Sequence, residues 1–241
     1  MPRKPRFNLI GIPQHVIQRG NNREPCFFSE QDYFRYLDDL TIASNKYGCK
    51  VHAYVLMTNH VHLLLTPTQE HGISNCMQAL GRRYVRFINH KYQRSGTLWE
   101  GRYRSSLIDS DSYLFNCMRY IELNTIRANI VTHPFEYKWS SYVSNALDKN
   151  NILVTAHPSY LALGHTPESR QSSYRELFRH QPDDHELREI RDTLNHELVL
   201  GRSWFKCMIE EMTNRRTCMG KPGRPRIEEE IGVYCSRNFV Y

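Results

Sequence analysis

Long apolar runs are missing from this 241-residue chain. Even the run Val61 to Leu65 is interrupted by His62, and none approaches the ~18–20 residues of a membrane span. The N-terminus, Met-Pro-Arg-Lys-Pro-Arg-Phe, is basic with no apolar segment behind it, so no secretory signal is expected. The seven cysteines are odd in number and none is spaced CxxC, which argues against a zinc ribbon or an ordered disulfide framework and fits a reducing cytoplasm. Internal repeats and low-complexity tracts are also lacking. Acidic residues are the scarcer charge, 25 against 32 basic, for a net charge of +7 and a pI near 9.0. A polyanion partner follows, although charge alone does not separate DNA from RNA or an acidic membrane face. What the chain does have is core material: 40% hydrophobic residues, with 15 Tyr and 10 Phe. Global disorder is therefore excluded, and the length suits one domain with an extension or two small ones.

Residues 13–19 read as a strand closed by Gly20-Asn21-Asn22. Ser29 caps a helix carrying Tyr33, Phe34, Leu37 and Leu40 at helical spacing, which stops at Gly48. Residues 50–57 and 60–66 are strands separated only by Thr58-Asn59, so they form an antiparallel hairpin ended by Pro67. Ile73 to about Tyr92 is a helix with Met77, Leu80, Tyr84, Phe87 and Ile88 on one side. Residues 103–108 form a fourth strand, and a third helix capped by Asp109, Ser110 or Asp111 runs to about Ala128. The first six elements give the βαββαβ order of a ferredoxin-like fold. The fold class is α+β: an antiparallel sheet with helices on one face, plus a mostly helical C-terminal extension. Residues 132–182 read as irregular with short helices, and 183–214 as a helical pair broken at Gly201.

His60-Val61-His62 is the sharpest local feature. Side chains at i and i+2 of a strand share a face, so the imidazoles stand together and suit one divalent metal. Two buried, hydrogen-bonded histidines are the competing reading. Tyr120 and Asn124, at i and i+4, share a helical face, and the Asn oxygen is a fair ligand for Mg2+ or Mn2+. Tyr113 rivals Tyr120 by position.

Four segments carry a family resemblance. Met57-Thr-Asn-His-Val-His-Leu-Leu-Leu-Thr-Pro67 resembles the HUH segment of single-tyrosine transposases. Arg119-Tyr-Ile-Glu-Leu-Asn-Thr-Ile-Arg-Ala128 resembles their Tyr-Ile-x-x-Asn-Pro-Val-Arg-Ala segment. Val16-Ile-Gln-Arg-Gly-Asn-Asn-Arg23 and Leu98-Trp-Glu-Gly-Arg-Tyr-Arg104 are similar to the REP-associated tyrosine transposases in particular. One position departs: Thr125 stands where that family usually has proline. The resemblance covers roughly residues 10–145. It implies a nuclease domain at 1–145, followed by an extension at 146–218 and a basic Gly/Pro tail at 219–241.

The resemblance implies cleavage and rejoining of single-stranded DNA near hairpin-forming repeats. Tyr120 would attack a phosphodiester, keep the 5′ phosphate as a covalent link and release a 3′-OH, with no water or ATP. His60, His62 and Asn124 would hold Mg2+ or Mn2+, which acts as Lewis acid and template. The phenol, with an ordinary pKa near ~10, must lose its proton during attack. His15 and His52 fall on neighbouring strands, either as bases or as structural residues.

Single-stranded or hairpin DNA is the expected partner, with no membrane. Arginines track phosphates and aromatics stack bases, and residues 82–104 interleave both. Arg82, Arg83, Arg86, Arg102 and Arg104 are candidate contacts, with Trp99 near a loop as a stacking platform. Arg19 and Arg23 flank the first turn. The tail Lys221-Pro-Gly-Arg-Pro-Arg226 resembles an AT-hook core, offering Arg224 and Arg226 to a minor groove. A monomer in the cytoplasm, associated with the nucleoid, is expected, with a dimer left open. A non-catalytic hairpin DNA- or RNA-binding module and a water-using metal phosphodiesterase are the alternatives.

Overall fold

The computed structural model describes residues 6–147, 149–180 and 182–220. Four strands form the central sheet: β1 (Gln14–Arg19), β2 (Cys49–Met57), β3 (His60–Pro67) and β4 (Arg104–Ile108). The two-residue Thr58-Asn59 connection forces β2 and β3 into an antiparallel hairpin. β1 pairs antiparallel with both β3 and β4, giving the order β2-β3-β1-β4 of a ferredoxin-like sheet. A short fifth strand, β5 (Val199–Leu200), adds parallel to β4 and was not expected. Two residues give no readable alternation; burial of Val199 with Leu107, Phe205 and Phe7 accounts for its place.

Alternation assigns the two faces. Val61, Leu63 and Leu65 of β3 and Val16 of β1 point into a core with α1 (Glu30–Lys46) and α2 (Gly72–Lys91). Ser29 and Asp32 close a capping box at the start of α1, as the sequence implies. Both helices of the ferredoxin-like unit thus lie on one face. His60, His62 and Leu64 face the other way, toward α3 (Leu114–Glu122).

The third helix is shorter than expected. It starts at Leu114 and breaks at Leu123, and α4 (Asn124–Arg127) follows as a separate turn. Asn124 is the physical reason. Its amide nitrogen donates to the carbonyls of Tyr120 and Ile121 at 3.0 and 3.3 Å, occupying acceptors of the last turn.

The extension supplies α5 (Tyr142–Leu147), α6 (Pro158–Leu161), α7 (Pro167–Glu176), α8 (Asp184–Asn195) and α9 (Ser203–Thr213). Its apolar side chains, including Tyr142, Tyr160, Tyr174 and Ile190, complete the second face over α3. Glu122 of α3 is the polar tie. Fully buried, it accepts hydrogen bonds from Ser141 (2.6 Å), Asn145 (2.9 Å) and Tyr174 (2.8 Å). Among the described residues no helix is long and apolar enough to cross a membrane.

Candidate active site

The β1–β3 register builds the site. Arg19 stands opposite His60 and Ile17 opposite His62, with His15 on the same face one pair along. The His60 and His62 rings lie 5.1 Å apart. His60 Nδ1 donates to Asn59 Oδ1 at 2.6 Å. His62 Nδ1 shares a hydrogen bond of 2.8 Å with His15 Nε2. Among the described residues, Nε2 of His60 and of His62 takes part in no hydrogen bond.

Burial keeps all three imidazoles neutral. His60 is pushed down to about 4, mainly by burial and then by Arg19. His15 falls to about 3 through burial and the nearby Arg127. His62 is held well below the ordinary value by burial, with His15, His60, Arg127 and Arg19 adding to it. A neutral imidazole keeps the lone pair that a metal needs.

Tyr120 comes to this cluster from the opposite layer. It sits on the sheet-facing side of α3, 6% exposed. Its ring stands edge-on to His62 (centroids 5.8 Å apart) and to His15 (5.6 Å). Tyr113 lies seven residues earlier, about 10 Å along a helix axis, beside Asp109 and Glu189. Arg127 of α4 covers the Tyr120 ring, with its guanidinium carbon 4.4 Å from the centroid. Arg127 falls within the 119–128 segment, at i+7 from Tyr120, and that spacing is the sequence signal for its place on the tyrosine's side.

The donor set fits a divalent cation in its chemistry. His60 Nε2 and His62 Nε2 are neutral and unengaged, and each Nδ1 has a hydrogen-bond partner, the arrangement usual for metal-ligating histidines. No group of three His, Cys, Asp or Glu side chains gathers at one point among the described residues. The Asn124 amide nitrogen is engaged with the helix backbone, at the carbonyls of Tyr120 and Ile121.

His15 and His52 do not fit the role of base. His52 uses both nitrogens, Nδ1 with the Thr155 carbonyl (2.7 Å) and Nε2 with Thr66 Oγ1 (2.9 Å). His15 is fully buried, and its lowered pKa leaves it a weak proton acceptor at neutral pH.

The candidate DNA contacts divide in two. Arg19 and Arg104 are exposed and share the histidine face through Ile17, and Arg23 and Arg102 are exposed in adjoining loops. Arg82, Arg83 and Arg86 lie on α2, whose layer covers the opposite face of the sheet. Arg83 is moreover paired with buried Asp39 at 2.7 Å. Trp99 is not an exposed platform: it is 5% exposed and packs against Tyr36 and Tyr84. Its backbone bridges Gly20, which draws the ring into the α1–α2 core. Arg224 and Arg226 lie outside the described residues.

Comparison with known proteins places this arrangement. No curated protein matches the sequence. A solved structure of a REP-associated tyrosine transposase bound to a REP hairpin is similar over 65% of this chain and 93% of its own, at 15% identity and a TM-score of 0.53, which shows a shared fold. A putative transposase from Deinococcus radiodurans matches 54% of this chain and 96% of its own, at 20% identity and a TM-score of 0.36. The family model described as "Transposase IS200 like" matches residues 9–124, the segment that carries the sheet, both histidines and Tyr120. Over that segment, just under half of the chain, the protein is similar to the IS200-like transposases.

Proposed function

We propose that this protein is a metal-dependent, REP-associated tyrosine transposase that nicks and rejoins single-stranded DNA beside hairpins. The observation that carries the reading is the seating of Tyr120 edge-on to His62 and His15 of its own chain, so nucleophile and candidate metal ligands meet without a second subunit. The hairpin in the structurally similar transposase supports hairpin DNA as the partner class. The exposed arginines Arg19, Arg23, Arg102 and Arg104 give the phosphates a track toward the site.

In the cleavage step the Tyr120 phenolic oxygen forms a bond to the scissile phosphorus and the bond from phosphorus to the 3′ oxygen breaks. The phenol proton ends, by balance, on the released 3′-OH, and the reverse reaction rejoins an end. His60, His62 and Asn124 Oδ1 would hold the divalent cation, Mg2+ or Mn2+. When bound, it supplies Lewis-acid stabilisation of the charge that develops on the phosphate. Burial around Tyr120 limits access of water, which would otherwise compete for the phosphorus.

The test is incubation with hairpin oligonucleotides drawn from the repeats flanking the gene, with and without Mg2+ or Mn2+, followed by denaturing electrophoresis. A metal-dependent, denaturant-stable protein–DNA adduct is expected. Tight binding with no adduct would contradict the reading in favour of a binding module, and cleavage without adduct would contradict it in favour of a water-using phosphodiesterase.

A further inference from the structure

Several cations among the described residues are matched to buried carboxylates. Arg83 meets Asp39, Lys91 meets Asp32 and Arg202 meets Asp109, all within 3.1 Å. Arg127 makes no ion pair among the described residues. It is half-buried and lies over the Tyr120 ring. Its Nη2 donates to the Tyr120 carbonyl at 2.5 Å, while its Nη1 is buried and has no hydrogen-bond partner.

The surrounding charge deepens the imbalance. Burial holds Arg127 down to about 10; the Tyr120 phenol pulls the other way, and the cation Arg191 adds to the lowering. Arg127 also raises the cost of protonating His15 and His62. A guanidinium taken out of water with a donor left idle is costly, by more than a neutral group would be. Such a group persists where an anion completes it, and planar guanidinium suits phosphate oxygens.

We propose that Arg127 is an anion-binding catalytic residue whose Nη1 donates to a non-bridging oxygen of the phosphate attacked by Tyr120. This rests on the tyrosine-nuclease reading above and extends it. The ring stacking and the carbonyl bond fix the guanidinium before DNA arrives. The charge it meets grows as the phosphorus becomes five-coordinate, so the contact is stronger in the transition state than in the bound substrate.

The experiment uses the full chain and a hairpin oligonucleotide whose cleavage site has been mapped with the wild type. Single-turnover adduct formation in Arg127→Gln is expected to fall about 10²-fold, with hairpin affinity within about threefold. Arg127→Lys, which keeps the charge without the fork, should recover part of that loss. A second arm reads the contact without chemistry. In a Tyr120→Phe background and without divalent cation, replacing the scissile phosphate by an uncharged methylphosphonate should weaken binding about threefold when Arg127 is present. With Arg127→Gln the same replacement should change little. An unchanged adduct rate in Arg127→Gln, or equal sensitivity to the methylphosphonate with and without Arg127, would overturn the proposal. Failure of the wild type to form any adduct would instead overturn the nuclease reading, and this inference with it.

Discussion

Replacing Glu122 by glutamine tests the tie between the tyrosine-bearing helix and the extension. Glu122 is fully buried, and burial pushes its carboxyl up to about 7 against the opposing hydrogen bonds from Ser141, Asn145 and Tyr174. In the unfolded chain it ionises near 4.5. The folded state therefore holds the extra proton between these values, and stability falls as pH rises through that window. The loss is ~1.4 kcal/mol per pH unit and ~3 kcal/mol in all, level above the folded value. Buried histidines act the other way. His15, His52 and His60 are held at about 3 to 4 in the fold. They disfavour the fold as pH drops below their ordinary value, so the wild-type profile alone mixes both signs. The difference between wild type and Glu122→Gln isolates the carboxyl. Glutamine keeps an acceptor for Ser141 and Asn145 and offers Tyr174 a donor, so geometry is retained without the charge. Urea unfolding should find the variant more stable by ~1.4 kcal/mol at pH 5.5 and by ~3 kcal/mol at pH 8.5. At an m-value of about 2–3 kcal/mol/M, the midpoints should separate by a further ~0.7–1 M between those pH values. Parallel profiles, or a variant that loses stability as pH rises, would refute the account of a buried carboxylate held by three neutral donors.

Three further outcomes are expected. Thr125 is fully buried with Oγ1 unpartnered, so Thr125→Val should raise stability by about 1 kcal/mol in the same unfolding assay. His62→Ala should lower adduct formation by at least ~10²-fold and flatten its dependence on Mn2+ concentration; an unchanged metal titration would remove His62 from the ligand set. Deleting residues 219–241 should weaken duplex binding, read by anisotropy, without abolishing nicking, because His60, His62, Tyr120 and Asn124 all fall outside the deleted segment; equal duplex affinity after truncation would dispose of the AT-hook resemblance.

The sheet was legible because its signals are local. The alternation of Val61, Leu63 and Leu65 against His60 and His62 assigns faces without any partner strand, and the Thr58-Asn59 turn fixes the hairpin. The approach of Tyr120 to the histidines was implied by resemblance, and the layering of α3 on the histidine face supplies its geometry. What escaped depends on contacts distant in sequence. Helical spacing runs unbroken from residue 114 to 127, and the break at Leu123 comes from the Asn124 amide competing for backbone carbonyls. Trp99 sits in a polar, glycine-containing stretch, yet its pairing with Gly20 buries it. Glu122, Ser141, Asn145 and Tyr174 form one network from three segments, and no periodicity marks such a meeting. Arg127 looks like one surface arginine among many until its place over the Tyr120 ring is seen in space.

The central claim, attack by Tyr120 with retention of the 5′ phosphate, is tested most directly by strand labelling. The hairpin oligonucleotide is labelled at its 5′ end in one sample and at its 3′ end in another, then reacted with wild type and with Tyr120→Phe in Mn2+. The account predicts that the 3′ label alone travels with the wild-type protein, that peptide mass spectrometry finds the nucleotide on Tyr120, and that the variant carries neither label. A 5′ label on the protein, or an adduct retained in Tyr120→Phe, would contradict it.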